Sequence, residues 1–321
     1  MKNLKKPKTN LAQDWPKHLL AISDLSVERI QDLLQLARQV KNAPETHQNS
    51  LSGCHAVLLF EKPSLRTRLT FEIGMHSMGG TVSFLDCQQH KIGERESIKD
   101  TGRNLERWCS IVIARTFSQS TLEELARNSS IPVINALSDF EHPCQVLADV
   151  LTLQQRWGEV KHRKMVYVGD PNNVSNSLMQ ICALLGMHFT LISPPGYEAD
   201  ALCCRRAAQF AGQSGSVLEF SHDLGHLFGA DAVYTDTWIS MGQETDAQRK
   251  LRDLAQYKVT PQLMTRAGKK AFFMHCLPAH RGEEVSDSVI DGPRSLVYDQ
   301  AENRLHVHKA VLLKALHREF V

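Results

Sequence analysis

Several short segments of the chain combine residue types that bind anions or move protons. The segment Ser64-Leu65-Arg66-Thr67-Arg68 follows an apolar run that ends at Phe60. This order predicts a strand followed by a helix that begins at about Leu65, with Ser64 as its N-cap. A helix start presents unpaired N–H groups and the positive end of the helix dipole, and here hydroxyl and guanidinium groups accompany it. The segment therefore predicts a phosphate site, with a capped helix carrying solvated arginines as the competing interpretation.

The two arginines of this segment are expected to have different roles. Each residue turns an α-helix by about 100°, so the two side chains lie roughly 200° apart around the axis and cannot both face one ligand. We expect Arg66 to bind the phosphate and Arg68 to form a structural ion pair.

A second turn of this kind is Gly169-Asp170-Pro171-Asn172-Asn173, which follows an apolar run ending at Val168. Open α/β sheets bind ligands at the carboxyl ends of parallel strands. The amides of Asn172 and Asn173 could therefore hold a polar substrate, although a plain turn fits equally well. The chain has no G-x-G-x-x-G after Gly169 and no G-x-x-x-x-G-K-[ST], so it lacks the dinucleotide fingerprint and the P-loop.

Three further polar segments stand at predicted strand ends or helix starts. They are His142-Pro143-Cys144-Gln145, Asp236 to Gly242, and His275-Cys276-Leu277-Pro278. A single His or Cys is more often structural than functional. The shared position of these segments at one edge of a parallel sheet instead favours a common site.

The elements that must position these segments are short apolar strands separated by stretches long enough for helices. Strands are predicted at 56–60, 81–85, 110–114, 132–135, 164–168, 188–192, 231–235, 271–275 and 296–298. Apolar residues recur at helical spacing in three segments: after Ser26, from Cys144 to Trp157, and from Lys309 to Phe320. The fold class is therefore α/β, with two domains that are each a mainly parallel sheet flanked by helices. We expect one domain at 1–150, joined by a C-terminal helix at about 309–321, and a second at 151–308.

The composition excludes several classes of protein. The 37 basic and 35 acidic residues among 321 give a net charge of +2, which favours neither nucleic acid nor an anionic membrane as a partner. No apolar run is as long as a membrane span, and the first twenty residues lack the core of a secretory signal, so we expect a cytoplasmic protein. The eight cysteines include no C-x-x-C and are expected to be reduced. The histidines form no H-E-x-x-H, and the pair His306 and His308 is expected in a strand or at its edge, so we expect no metal and no cofactor.

Taken in order, these segments resemble the aspartate and ornithine carbamoyltransferase family from near His18 to the C-terminus. Ser64 to Arg68 is similar to the family's S-T-R-T-R loop, and His142 to Gln145 is similar to its H-P-x-Q element. Asp236 to Gly242 and His275 to Pro278 resemble the D-x-W-x-S-M-G and H-C-L-P segments of the ornithine branch. Because the aspartate branch lacks that cysteine and the S-M-G loop, the resemblance favours ornithine as acceptor. It implies an active site in the cleft between two α/β domains.

The resemblance also implies roles for individual residues. Carbamoyl phosphate is expected at Ser64, Leu65 through its backbone, Arg66, Thr67, Arg115, His142, Gln145, Cys276, Leu277 and Arg304. L-Ornithine is expected at Asn173, Asp236, Ser240 and Met241. His142, Thr67 or Arg115 would stabilise the developing oxyanion, while Cys276 with Asp236 would take or orient the proton of the δ-amine.

Two further expectations come from the same resemblance. The family assembles as a trimer, so we expect a homotrimer or a multiple of trimers, with the loop around Gln89 to Gly93 reaching the neighbour's site and Lys91 as its polar residue. Leu65 departs from the family's Thr, which removes a hydroxyl and keeps the backbone N–H. A lost neutral hydrogen bond weakens phosphate binding by about 0.5–1.5 kcal/mol.

Other classes of function compete with this interpretation. A nicotinamide-dependent oxidoreductase would share the α/β architecture, and a catalytically silent paralogue would share the whole fold. Within the enzyme class, the acceptor could instead be N-acetylornithine, putrescine or another amine.

Overall fold

The first half of the chain folds around a parallel sheet with the strand order β2-β1-β3-β4. The computed structural model describes residues 15–239 and 244–318. The strands of this sheet are β1 (His55–Phe60), β2 (Thr81–Asp86), β3 (Ile111–Arg115) and β4 (Val133–Leu137). The helices of this half are α1 (Val27–Asn42), α2 (Leu65–Ser77), α3 (Ile98–Trp108) and α4 (Gln119–Arg127).

The second half forms another parallel sheet, with the order β7-β6-β5-β8-β9. Its strands are β5 (Lys164–Val168), β6 (His188–Ile192), β7 (Leu218–Ser221), β8 (Ala232–Tyr234) and β9 (Phe272–Met274). The helices are α5 (Pro143–Trp157), α6 (Asn173–Leu185), α7 (Ala201–Ser214), α8 (Ala247–Leu254), α9 (Pro261–Ala267), α10 (Asp287–Ile290) and α11 (Val297–Ala315). The predicted α/β class with two parallel sheets is therefore confirmed.

The inner strands β1, β3, β5 and β8 are mostly apolar and buried because helices cover both faces of each sheet there. The edge strands β2 and β7 contain polar residues and are exposed or half-buried. In the first sheet, Leu58 and Ile113 pack into a core shared with α1, α2, α5 and α11. The alternate residues Leu59 and Val112 pack on the other face with side chains of α3 and α4. The register places Phe60 of β1 beside Arg115 of β3, so the carboxyl ends of the two central strands are level.

The predicted strand at 296–298 is wrong. Leu296 is the N-cap of α11, and the neighbouring Ser295 forms a single bridge with Phe273. The β-favouring residues Val297 and Tyr298 are helical because α11 buries an apolar face against α1, α2 and α5, which outweighs local propensity. The prediction that His306 and His308 lie in a strand is wrong for the same reason, since α11 contains both. Strand β7 was not predicted.

None of the helices within 15–239 and 244–318 is both long enough and apolar enough to cross a membrane.

Candidate active site

The predicted site residues converge on a cleft at the carboxyl ends of both sheets. The cavity measures about 350 Å³, which lies within the usual range for small-molecule sites. Every predicted site residue that the structure describes lines it: Ser64, Leu65, Arg66, Thr67, Arg115, His142, Gln145, Asn173, Asp236, Cys276, Leu277 and Arg304. The predicted Ser240 and Met241 lie outside the described residues.

One wall of the cleft is the N-terminus of α2. Ser64 is its N-cap, as predicted, and the Ser64 hydroxyl accepts the backbone N–H of Thr67 at 3.3 Å. The Leu65 side chain is 70% exposed, so the departure from the family's Thr leaves the helix start intact. Arg68 points away from the cleft: its Nε donates to Glu72 Oε1 at 2.8 Å and its guanidinium stacks on Phe84. The predicted structural ion pair of Arg68 is confirmed.

Three guanidinium groups reach this end of the cleft from three different elements. Arg66 belongs to α2, Arg115 ends β3, and Arg304 comes from α11, where its Nη2 donates to Thr67 Oγ1 at 2.5 Å. Within the part of the chain that the structure describes, none of the three forms an ion pair with a carboxylate. Burial, together with the nearby charges of Arg304 and Arg66, lowers the pKa of Arg115 to about 10. Buried cations without a counter-ion are costly, so this end of the cleft is suited to an anion.

Two histidines behind the arginines are neutral. Burial, followed by the charges of Arg304 and Arg115, holds the pKa of His142 well below its usual range. Burial and Arg304 have the same effect on the pKa of His308, whose Nδ1 lies 2.9 Å from Thr70 Oγ1. His142 Nδ1 is buried and has no hydrogen-bond partner among the described residues. A neutral His142 imidazole can donate one hydrogen bond to an oxygen in the cleft.

Replacing His308 with Asn should change how stability depends on pH. The folded protein keeps His308 neutral, whereas the unfolded chain protonates it below about pH 6.5. Unfolding therefore takes up a proton, and this residue makes the wild-type protein less stable as pH falls, by up to about 1.4 kcal/mol per pH unit. We expect a slope smaller by that amount in His308→Asn, measured by urea unfolding from about pH 7 to pH 5. Identical slopes in the two proteins would show that His308 is protonated in the fold.

Another part of the cleft is built around Asp236, which follows β8. Asp236 Oδ2 accepts from Asn172 Nδ2 at 2.7 Å, and Oδ1 accepts from the backbone N–H of Thr237 at 2.8 Å. The Cys276 thiol donates to the same Oδ1 at 3.0 Å. Burial raises the pKa of Cys276 well above its usual range, and the charge of Asp236 adds to this effect. Cys276 is therefore a neutral thiol that orients the carboxylate.

The two asparagines of the second turn have separate tasks. Asn172 is the N-cap of α6 and accepts the backbone N–H groups of Val174 and Ser175. Asn173, the predicted substrate residue, lines the cleft and donates from Nδ2 to the backbone oxygen of Ser138 at 2.5 Å. Its amide oxygen is the group that remains for a ligand.

Several residues at the cleft were not predicted. Lys62, Leu137, Thr237 and His280 line the cavity. Lys62 lies two residues before Ser64, and His280 lies two residues after Pro278, so proximity in sequence to the predicted segments was the available signal. Nothing in the sequence indicated Leu137, because a partly buried apolar residue at a strand end cannot be told from any other core residue by its type.

The loop that was expected to reach a neighbouring subunit lies beside the cleft of its own chain. Lys91 Nζ is 4.7 Å from the centre of the Phe117 ring, which Lys62 Nζ also approaches at 4.6 Å. The buried Glu61 fixes this loop: its Oε1 accepts the N–H of Ile92 at 3.0 Å, and its Oε2 accepts that of Phe117 at 2.7 Å.

Two groups of side chains have the donor types that bind metal ions. The ligand atoms of Asp236, His275 and Cys276 lie within 4.8 Å of one another. The same holds for a second group, His280, Glu283 and Glu284. In the first group, His275 Nε2 already lies 3.2 Å from Glu284 Oε1, so hydrogen bonds account for its arrangement.

Comparisons with known proteins agree with this geometry. The family model "Aspartate/ornithine carbamoyltransferase, carbamoyl-P binding domain" matches residues 17–155. The model "Aspartate/ornithine carbamoyltransferase, Asp/Orn binding domain" matches residues 161–315. The ornithine carbamoyltransferase of Shewanella oneidensis is 46% identical, over 92% of this chain and 98% of its own length.

Solved structures of carbamoyltransferases have the same fold as this chain. The ornithine carbamoyltransferase from Pyrococcus furiosus superposes with a TM-score of 0.89 at 43% identity, covering 92% of this chain and 96% of that one. An acetylornithine transcarbamylase complexed with acetylcitrulline superposes with a TM-score of 0.85 at 31% identity, covering 92% and 98%.

Proposed function

The chain belongs to the aspartate/ornithine carbamoyltransferase family, and we propose that its cleft binds carbamoyl phosphate beside L-ornithine. The enzyme transfers the carbamoyl group to the δ-amine of ornithine, giving L-citrulline and phosphate, a reaction of arginine metabolism. This membership confirms the resemblance seen in the motifs. It also excludes the competing interpretation that the chain is a nicotinamide-dependent oxidoreductase.

The observation that carries the proposal is that one cleft presents both positive and negative side chains. Arg66, Arg115 and Arg304 supply positive charge without a carboxylate partner among the described residues, and the carboxylate of Asp236 faces the same cavity. Carbamoyl phosphate carries an anionic phosphate group, which suits the arginines. Ornithine carries two amines, which suit the carboxylate of Asp236. The cleft therefore matches a phosphate-bearing donor and an amine-bearing acceptor held side by side.

Carbamoyl phosphate would be held at the arginine end. The arginines and the N–H groups at the start of α2 face its phosphate, while the neutral His142 donates to its carbonyl oxygen. The full proposed set is Ser64, Leu65 through its backbone, Arg66, Thr67, Arg115, His142, Gln145, Cys276, Leu277 and Arg304.

Ornithine would be held at the Asp236 end. Asp236 attracts a substrate amine, and the free amide oxygen of Asn173 accepts a second hydrogen bond. Ser240 and Met241, which lie outside the described residues, are also proposed to bind ornithine.

The reaction needs a neutral amine. An alkyl ammonium with a pKa near 10.4 is neutral in only about one molecule per thousand at pH 7.4, and the buried arginines favour the neutral form by repelling the charged one. The amine nitrogen then attacks the carbamoyl carbon, and the bond from that carbon to the phosphate oxygen breaks. The proton released by the nitrogen passes to the departing phosphate, so the transfer itself needs no thiolate. Arg115 and His142 stabilise the oxyanion that forms on the carbamoyl oxygen.

Cys276 is best tested by removing its hydrogen bond to Asp236. We expect Cys276→Ala to lower kcat about 10- to 100-fold, because a hydrogen bond to a charged group contributes about 1.5–3 kcal/mol. Cys276→Ser keeps a donor and should retain most of the activity. The measurement is initial rate against pH for all three proteins. If both variants showed the kcat and pH profile of the wild type, the thiol would have no part in orienting the proton.

The acceptor is tested directly by phosphate release. The protein is incubated with carbamoyl phosphate and, separately, with ornithine, N-acetylornithine, putrescine or aspartate. We expect ornithine to give the highest kcat/KM. N-Acetylornithine is the second candidate because of the acetylornithine transcarbamylase likeness. Failure with all four amines would contradict carbamoyl transfer itself.

We further propose a division into domains, an assembly and a location. The carbamoyl-phosphate domain would be 1–150 with the helix at about 309–321, and the ornithine domain 151–308. The packing of α11 against α1 and α2 supports the first assignment. A homotrimer, or a multiple of trimers, is supported by the exposed apolar row of Leu65, Leu69 and Ile73 on α2. Lys91 would contact the neighbouring site, and the enzyme would act in the cytoplasm.

A further inference from the structure

A buried carboxylate lies directly behind the cleft. Asp149, on α5, is inaccessible to solvent and stands one helical turn beyond Gln145. Its Oδ1 accepts two hydrogen bonds of 2.8 Å, one from Gln145 Nε2 and one from Gln300 Nε2. Gln145 lines the cavity and Gln300 belongs to α11. The carboxylate therefore joins a cleft residue to the last helix of the fold.

This carboxylate sets the orientation of both amides. A carboxylate oxygen only accepts hydrogen bonds, so each glutamine must turn its NH₂ group toward Asp149. The Oε1 of Gln145 then faces away, and it has no hydrogen-bond partner among the described residues. The Oε1 of Gln300 accepts the backbone N–H of His275 at 3.0 Å. His275 immediately precedes Cys276, so the same carboxylate also supports the segment that carries the thiol.

Stability alone does not account for an acid at this position. Burial raises the pKa of Asp149 to about 6, which means that the fold disfavours its charged form. Its Oδ2 is buried and forms no hydrogen bond of good geometry among the described residues, although the Tyr234 hydroxyl is close enough to moderate the rise in its pKa. Packed apolar side chains would hold α5 against α11 at least as well as a buried charge.

We propose that Asp149 is a positioning residue that keeps the carbonyl oxygen of Gln145 turned toward the bound carbamoyl group, where it accepts an N–H of the carbamoyl NH₂. The inference rests on the proposed function, since the feature recognised is the amide end of carbamoyl phosphate. With the amide of Gln145 reversed, its NH₂ would face the ligand's NH₂, and two donors would oppose each other. The arginines contact the phosphate group, which carbamoyl phosphate and inorganic phosphate share. Asp149 thereby helps the site to distinguish carbamoyl phosphate from inorganic phosphate.

The test compares two ligands that differ in the amide. Phosphonoacetamide carries a phosphonate and a carbamoyl group, and inorganic phosphate lacks the carbamoyl group. Asp149→Asn preserves shape, but an Asn can present either oxygen or NH₂ to the glutamines and so no longer fixes them. By calorimetric titration, we expect the variant to bind phosphonoacetamide about tenfold more weakly, the cost of one mismatched buried hydrogen bond. Phosphate affinity should change less than about twofold.

Two more variants keep the result interpretable. Asp149→Leu removes both acceptor oxygens and should give a larger selective loss if it folds. Thr152→Val is the matched control, because Thr152 is buried on α5 and accepts Asn303 Nδ2 of α11 at 2.8 Å without lining the cleft. We expect it to lower the melting temperature and leave both affinities and the kcat unchanged.

The outcomes separate the two hypotheses. Equal weakening of both ligands in Asp149→Asn, or no weakening of either, would overturn the positioning role while wild-type turnover of carbamoyl phosphate and ornithine remained. A wild-type protein that binds phosphonoacetamide no more tightly than phosphate and releases no phosphate with ornithine would overturn the proposed function, and this inference with it.

Discussion

Arg66→Ala should lower kcat/KM for carbamoyl phosphate by about 10²- to 10⁴-fold, because each hydrogen bond to a charged group contributes about 1.5–3 kcal/mol, roughly 10- to 100-fold, and a guanidinium can donate two to a phosphate. Arg66 is only partly buried, and burial is the main cause of its lowered pKa. Removing its side chain therefore leaves little unsatisfied in the fold. Initial rates with varied carbamoyl phosphate measure the loss, and ornithine KM should change far less.

Arg68 provides the matched control on the same helix. Its guanidinium pairs with Glu72 and stacks on Phe84, outside the cavity. An exposed ion pair contributes about 0–1 kcal/mol, so Arg68→Gln should change kcat/KM less than about threefold. Comparable losses in Arg66→Ala and Arg68→Gln would mean that the helix start as a whole had been disturbed, and the assignment of Arg66 to phosphate would fail.

Asp236→Asn should lower kcat/KM for ornithine by about 10²- to 10³-fold, since removing one member of a charged, hydrogen-bonded pair typically costs 2–5 kcal/mol. The carboxylate accepts hydrogen bonds from Asn172, Thr237 and Cys276. An Asn in its place must turn an NH₂ group toward at least one of these donors. The loss should appear in steady-state kinetics with varied ornithine, while phosphonoacetamide affinity stays within about threefold of the wild type.

Asp231 is the control for this substitution, because it precedes β8 at the end opposite Asp236. It pairs with Arg163 at 3.0 Å on the surface, so Asp231→Asn should leave both KM values unchanged. A fall in phosphonoacetamide affinity as large as the fall in ornithine kcat/KM would place Asp236 at the carbamoyl-phosphate end and contradict its proposed role.

Local pattern was sufficient for most of the fold. Strands β5 and β6 have the predicted bounds, and α5 begins at Pro143, one residue before its predicted start. Most residues of these elements are buried, so their apolar runs, and Gly158 as the C-cap of α5, are consistent with the tertiary structure. The start of α11 was missed because its first residues favour strands locally, and only the distant helices it packs against make it helical.

At the candidate site, too, local sequence pattern predicted which residues take part but not the contacts between distant elements. Polar motifs at strand ends identified the residues around the cavity, because parallel strands bring their carboxyl ends to one edge. Motifs do not show which partner each side chain takes. Asn172 rather than Asn173 contacts Asp236, and Asp149 accepts from Gln300, which is 151 positions away in sequence. Such contacts depend on how distant elements pack together, which local pattern does not show.

Arg304 has a further consequence for how the enzyme is made. It is the last in chain order of the residues that line the cleft, and α11 packs against α1, α2 and α5. A growing chain that has folded its first sheet already carries Arg66 and Arg115, yet its anion site is open on the side that α11 will close. A product interrupted before α11 lacks Arg304 and the packing of that helix, so we expect that it would not consume carbamoyl phosphate during synthesis.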